Sequence, residues 1–120
     1  MKKHFLAAIT CLILFSITAC NGKTSALVEN ASANGKVKIK ITAKRNGALE
    51  PFKVDMAVTA YDFKQGKLLF EIAADDLNQE NVKFNWTDDN TCTISITERD
   101  NHVRNFQLLA SENQVQLAEI

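Results

Sequence analysis

The sequence predicts an all-β fold: an antiparallel meander forming a small sandwich or barrel, after an N-terminal signal segment and a flexible tether. Three observations predict it. Apolar side chains recur at period two through residues 36–120, which places alternate residues on opposite faces of a sheet. Polar turn clusters such as Asn46-Gly47, Asp88-Asp89-Asn90 and Asp100-Asn101 separate these runs. The runs are short, with a turn about every 8 to 12 residues, the rhythm of sandwiches and small barrels.

The clearest half-buried strand sets Val37, Ile39 and Ile41 against Lys36, Lys38, Lys40 and Thr42. Phe52, Val54, Met56, Val58 and Ala60 alternate next. Helical spacing also fits residues 52–62, with Pro51 suited to a first turn, but unbroken alternation and β-branched content favour a strand. Asp62 to Gly66 reads as a hairpin loop into 67–72, and Ala73 to Glu80 as a connection with room for one helical turn. Val82, Phe84 and Trp86 share a face, as do Cys92, Ile94 and Ile96. Two further hairpins carry His102 to Leu109 and Gln114 to Glu119. Residues 21–35 are small and polar apart from Leu27-Val28, which predicts a tether able to reach roughly 50 Å when extended.

The first residues carry an address. Lys2 and Lys3 precede an apolar run from Phe5 to Ile17, the charged and hydrophobic regions of a secretory signal. The run has 13 positions, short of the roughly 20 needed to span a bilayer. It closes on Ile17-Thr18-Ala19-Cys20, which resembles the lipobox of small bacterial lipoproteins: an aliphatic residue, two small residues, then cysteine. The resemblance covers about the first twenty residues. It implies a signal peptide over 1–19, cleavage between Ala19 and Cys20, and a diacylglyceryl group, then usually a further acyl chain such as palmitate, on Cys20. The small residues suit an extended backbone entering a peptidase while the thiol stays reachable. The lipoproteins sorted between two membranes commonly use aspartate after the cysteine for inner-membrane retention. Asn21 follows here, which favours the outer membrane where the source has one.

The expected organisation is therefore a signal peptide (1–19), a lipidated cysteine and tether (20–35), and one all-β domain (36–120). Without Lys2 and Lys3, the 14 basic residues become 12 against 14 acidic, which makes no case for nucleic acid. Seven basic residues lie between Lys23 and Lys53 against Glu29 and Glu50, whereas twelve acidic residues follow Val54. Charge is polarised along the chain.

Chemistry is sparse. Cys11 leaves with the signal and Cys20 is lipidated, so Cys92 has no disulfide partner and is expected to pack as a small hydrophobe. His102 is the one histidine after the signal and flanks a turn. One histidine and one buried thiol do not make a zinc site without carboxylates, and no metal or cofactor is expected. The pairs Asp75-Asp76 and Asp88-Asp89, and Glu98 with Asp100, read as turn chemistry. Residues Asp76 to Glu80 lack the glycine and terminal glutamate of a calcium loop. Trp86 aligns with Phe84 and Val82 as core rather than as a sugar-stacking platform. Arg99 and Arg104 are expected to pair with Glu98 or Asp100.

The most suggestive surface feature is Lys36, Lys38 and Lys40, three positive charges about 7 Å apart along one face. They suit an anionic surface or glycan, or else guard an exposed sheet edge against aggregation. Together these features predict a membrane-anchored envelope lipoprotein acting as a non-catalytic protein-interaction or assembly module, its partner an unidentified envelope protein or ligand. A binder of a ligand, anionic surface or glycan, or an inhibitor of an envelope-directed hydrolase, is the alternative. The plan resembles that of membrane-bound lysozyme inhibitors in architecture alone, since their disulfide pattern is absent.

Overall fold

A computed structural model describes residues 24–61 and 64–120. The expected signal peptide, its cleavage point and Cys20 lie outside the described residues, as do Asp62 and Phe63. The described residues form eight strands: β1 (Thr24–Ala31), β2 (Val37–Arg45), β3 (Phe52–Ala60), β4 (Lys64–Ile72), β5 (Val82–Asp88), β6 (Thr91–Thr97), β7 (Val103–Ala110) and β8 (Val115–Glu119). They build two antiparallel four-stranded meanders, sheet I in the order β1-β2-β3-β4 and sheet II in the order β5-β6-β7-β8. The all-β expectation holds, and the sheets share one core as a sandwich.

Period-two patterning explains which face each sheet buries. Val37, Ile39, Ile41 and Ala43 of β2 point inward, as do Phe52, Val54, Met56, Val58 and Ala60 of β3. Residues 52–60 are thus strand, their β-branched side chains paired across to β2 and β4. In sheet II, Cys92, Ile94 and Ile96 of β6 lie beside Phe106 and Leu108 of β7 and face the same core. Between the layers Phe70 of β4 stacks on Phe106, ring centroids 4.5 Å apart, an arrangement that adds about 0.5–1.5 kcal/mol beyond area burial.

The two sheets also touch at their margins. Trp86 Nε1 on β5 donates to Asn30 Oδ1 on β1 at 2.7 Å, so its one polar atom is satisfied while its half-buried ring packs on the core. At the opposite margin a Cβ placed on Gly66 of β4 lies 2.5 Å from Val115 Cγ1 of β8. Glycine is required there because only a bare Cα lets the two strands approach.

Residues 73–81 carry the chain from β4, at one margin, to β5 at the other. They form no helix but close on a single i→i+4 turn, the Val82 amide donating to the Asn78 carbonyl at 3.0 Å, while Ala74 and Leu77 bury themselves over the end of the core. Arg45 and Arg99 pin this connection. Arg45 donates to the carbonyls of Ala74 and Asp75 at 2.9 and 2.8 Å, and its guanidinium lies 4.3 Å from the centre of the Phe52 ring.

Three expectations are corrected. Residues 24–31, expected within the tether, are β1, paired along its length with β2. That pairing makes β2 an interior strand, so Lys38 and Lys40 guard no edge. Strand β4 begins at Lys64 rather than after Gly66, because the hairpin register set by Ala60↔Lys64 extends the ladder nearly to the turn.

Candidate functional site

The strands present two outer faces of different chemistry. On sheet II the outward residues are Asn85 and Thr87 of β5, Thr91, Thr93, Ser95 and Thr97 of β6, and Val103, Asn105, Gln107 and Leu109 of β7, with Lys83 and Asp88 the charges on that face of those three strands. On sheet I they include Lys38, Lys40 and Lys44 of β2, Lys53 of β3 and Lys67 of β4, against Glu29, Asp55 and Glu71. The basic first half of the sequence is therefore polarised in space.

Registration defines the sheet I face row by row. Glu29, Lys40, Ala57 and Lys67 lie side by side across the four strands, and the next row is Ala31, Lys38, Thr59 and Gln65. The small Ala31 and Ala57 leave an open recess between the lysines, walled by Glu29, Lys38, Lys40 and Thr59. Lys36 precedes β2, where its carbonyl accepts the Tyr61 amide at 3.0 Å. Structure thus brings Lys38 and Lys40 together on a recess and leaves Lys36 outside its lining, by the turn. The recess itself was invisible to sequence reading, because it depends on which small residues of β1 and β3 fall opposite the lysines.

A second depression lies under the connection, lined by Asp75, Asp76, Asn78, Glu80, Glu98 and Arg99 among others. Its polar groups are engaged in closing the fold. Arg99 Nε donates to Asp75 Oδ1 at 2.6 Å. Glu98 Oε2 accepts the Ala73 amide, Asp76 Oδ1 the Leu77 amide and Asn78 Oδ1 the Glu80 amide, at 2.8 to 3.1 Å. The Asp76 and Asn78 oxygens thus cap nearby backbone amides, which for Asp76 is the turn chemistry expected of it. Among the described residues no group of three or more His, Cys, Asp or Glu side chains is arranged to hold a metal ion. His102 is exposed, its Nδ1 3.6 Å from Glu98 Oε1.

The expected pairing of the arginines is corrected. Arg99 reaches Asp75 on the connection rather than a neighbour in its own hairpin. Arg104 forks onto Glu119 of β8, with Nε and Nη2 each 2.8 Å from a carboxylate oxygen. Those hydrogen bonds hold Glu119 below the usual carboxylate range and raise Arg104. The pair's stabilisation is complete above the ordinary carboxylate pKa and is lost as pH falls through the lowered one. Its exposure keeps it small.

Cys92 is fully buried beside Ile94 and Ile96. Desolvation pushes its thiol up to about 11 from a reference of 9.0, since a thiolate has no solvent there. Native protein should therefore resist thiol alkylation until it is unfolded, and Cys92→Ser should cost about 1–3 kcal/mol by burying a hydroxyl without an assured partner. The linkage has a definite sign: above the reference value the unfolded thiol ionises while the buried one does not, so this contribution is full below pH 9.0 and declines as pH rises towards about 11. Alkylation kinetics with and without urea check the first expectation. Rapid native labelling would contradict the burial.

No family model, curated protein or solved structure matches the chain.

Proposed function

We propose that this protein is a lipid-anchored envelope module, held by acyl chains on Cys20, that acts by binding another envelope protein and performs no catalysis of its own. The observation that carries the partner surface is the open recess on sheet I, where Lys38 and Lys40 flank Ala31 and Ala57. An open recess flanked by two lysines suits an acidic protein partner better than a small ligand, which favours enclosed apolar pockets.

Anchoring decides which way that surface faces. Cys20 is four residues from the start of β1, a reach of at most about 14 Å. Thr24 pairs with Arg45 at the far end of β2 from Lys38, and the seven residues between Lys38 and Arg45 span about 23 Å. Such a spacing exceeds the physiological Debye length of about 8 Å. Lys38 and Lys40 thus face a partner in the envelope space more readily than the membrane of their own anchor, which places the anionic-surface reading of Lys36, Lys38 and Lys40 second.

A photoreactive residue at Thr59, on the rim of the recess, tests the reading in the full lipidated chain. A discrete protein adduct should form in native envelopes and be lost in the Lys38→Glu, Lys40→Glu double variant. Crosslinks to lipid or glycan alone would favour the second reading instead.

A further inference from the structure

The end of sheet I nearest the anchor carries an unusual set of side chains. In the row nearest the β2–β3 loop, Lys44 and Lys53 sit directly opposite one another on neighbouring strands. Like charges so placed repel, and neither lies within 4.0 Å of a carboxylate among the described residues. In the next row Leu27 and Leu69 point outward from β1 and β4, and Leu49 projects from the loop between β2 and β3. These three leucines are 56%, 67% and 86% exposed, although each stands within a few residues of a fully buried core. The Asp55 carboxylate between Leu27 and Leu69 is neutralised by Lys67 at 3.1 Å.

We infer that this corner, Leu27, Leu49 and Leu69 around Lys44 and Lys53, is a second and reversible membrane contact that seats the domain on anionic phospholipid. The inference rests on the Cys20 anchor proposed above. Leucines flanked by lysines match the two layers of a bilayer interface, apolar groups entering the acyl boundary while ammonium groups meet phosphate. An anionic headgroup between Lys44 and Lys53 would also relieve their mutual repulsion. A short chain of four residues from Cys20 to Thr24 holds the corner within reach of the headgroups at all times, so the contact forms at high effective concentration.

Acidic groups set the tilt. Asp75, Asp76, Glu80, Glu98 and Asp100 occupy the same end of the sandwich on the connection and the β6–β7 turn, away from the outer face of sheet I. An anionic membrane repels them and attracts the lysine corner, which tips only the anchor-proximal end of sheet I towards the lipid. Glu50 and Glu71 border the corner and limit its attraction to a few lysines' worth. The far recess with Lys38 and Lys40 then stays free for a partner.

The test uses the full acylated chain in vesicles of phosphatidylcholine, with or without phosphatidylglycerol, containing a lipid-borne quencher. An environment-sensitive dye goes on Ala48→Cys, beside Leu49, or on Ala33→Cys, in the β1–β2 turn at the opposite end. Quenching is expected at position 48, not at position 33, and more strongly with phosphatidylglycerol. In the Lys44→Gln, Lys53→Gln background docking should weaken about fivefold per lysine, whereas Lys38→Gln with Lys40→Gln should leave it unchanged. Leu49→Asp should lower it in both lipids. Quenching that is absent at position 48, equal at both positions, or indifferent to Lys44, Lys53 and Leu49 would overturn the docking while leaving an acylated anchor intact. A chain that takes up no fatty acid would instead remove the anchor, and the docking with it.

Discussion

Phe106→Ala is expected to lower the stability of the domain by about 3–5 kcal/mol, the range for removing a fully buried aromatic ring. Phe106 has no solvent exposure and lies where the two sheets meet, paired with Ile94 on β6 and stacked on Phe70 of β4. Its loss removes contacts on both layers, and the surrounding strands are held by backbone ladders that restrict collapse into the cavity. The guanidinium of Arg104 lies 5.6 Å from the ring centre, so the variant also loosens the side chain that reaches from β7 to Glu119. Small domains have only about 5–15 kcal/mol in total, and each kcal/mol shifts Tm by about 4–8 °C at this size. Thermal unfolding followed by circular dichroism should show a fall of tens of degrees. Leu109→Ala, on the exposed face of the same strand, serves as the comparison and should change stability by less than about 0.5 kcal/mol. Equal effects at the two positions would contradict the assigned faces of β7.

Cys20→Ala is expected to abolish acylation and lipoprotein-type cleavage altogether. Thioether formation needs a reachable thiol at the end of the signal segment. Cys11 lies inside the apolar run, and Cys92 is buried between the sheets, so neither substitutes. Each buried methylene contributes about 0.8 kcal/mol, and two or three chains on one residue give an anchor where a single chain binds marginally. Metabolic labelling with a fatty-acid probe should mark the native chain and not the variant, and the variant should leave the membrane fraction on alkaline extraction unless its uncleaved signal retains it. Labelling that persists in Cys20→Ala would reject the lipobox assignment.

Much of the fold was legible in the sequence, for a local reason. Alternation at Val37 to Ile41, Phe52 to Ala60 and Cys92 to Ile96 is a property of consecutive residues, and with one face buried a strand has a single register that hides its apolar side. The burial of Cys92 followed from its place in that pattern. So did the strand state of residues 52–60, where β-branched content outweighed a competing helical spacing.

Tertiary structure alone decided the rest. Strand β1 has little apolar signal of its own, Val28 and Ala26 being its main inward hydrophobic groups. It forms because β2 offers an unpaired row of amides and carbonyls across a short hairpin, a partner that the pattern of β1 itself does not contain. With β1 in place, the lysines of β2 ceased to be an edge guard and became the wall of a recess. Arg99 and Arg104 found Asp75 and Glu119 rather than their sequence neighbours, since β8 comes to β7 by strand pairing within sheet II and the connection comes close only when the sheets stack. Periodicity along the chain determined which residues of this protein face inward; which outward residues stand side by side, and so which surface is available to bind, depended on strand order and register, which no local pattern contains.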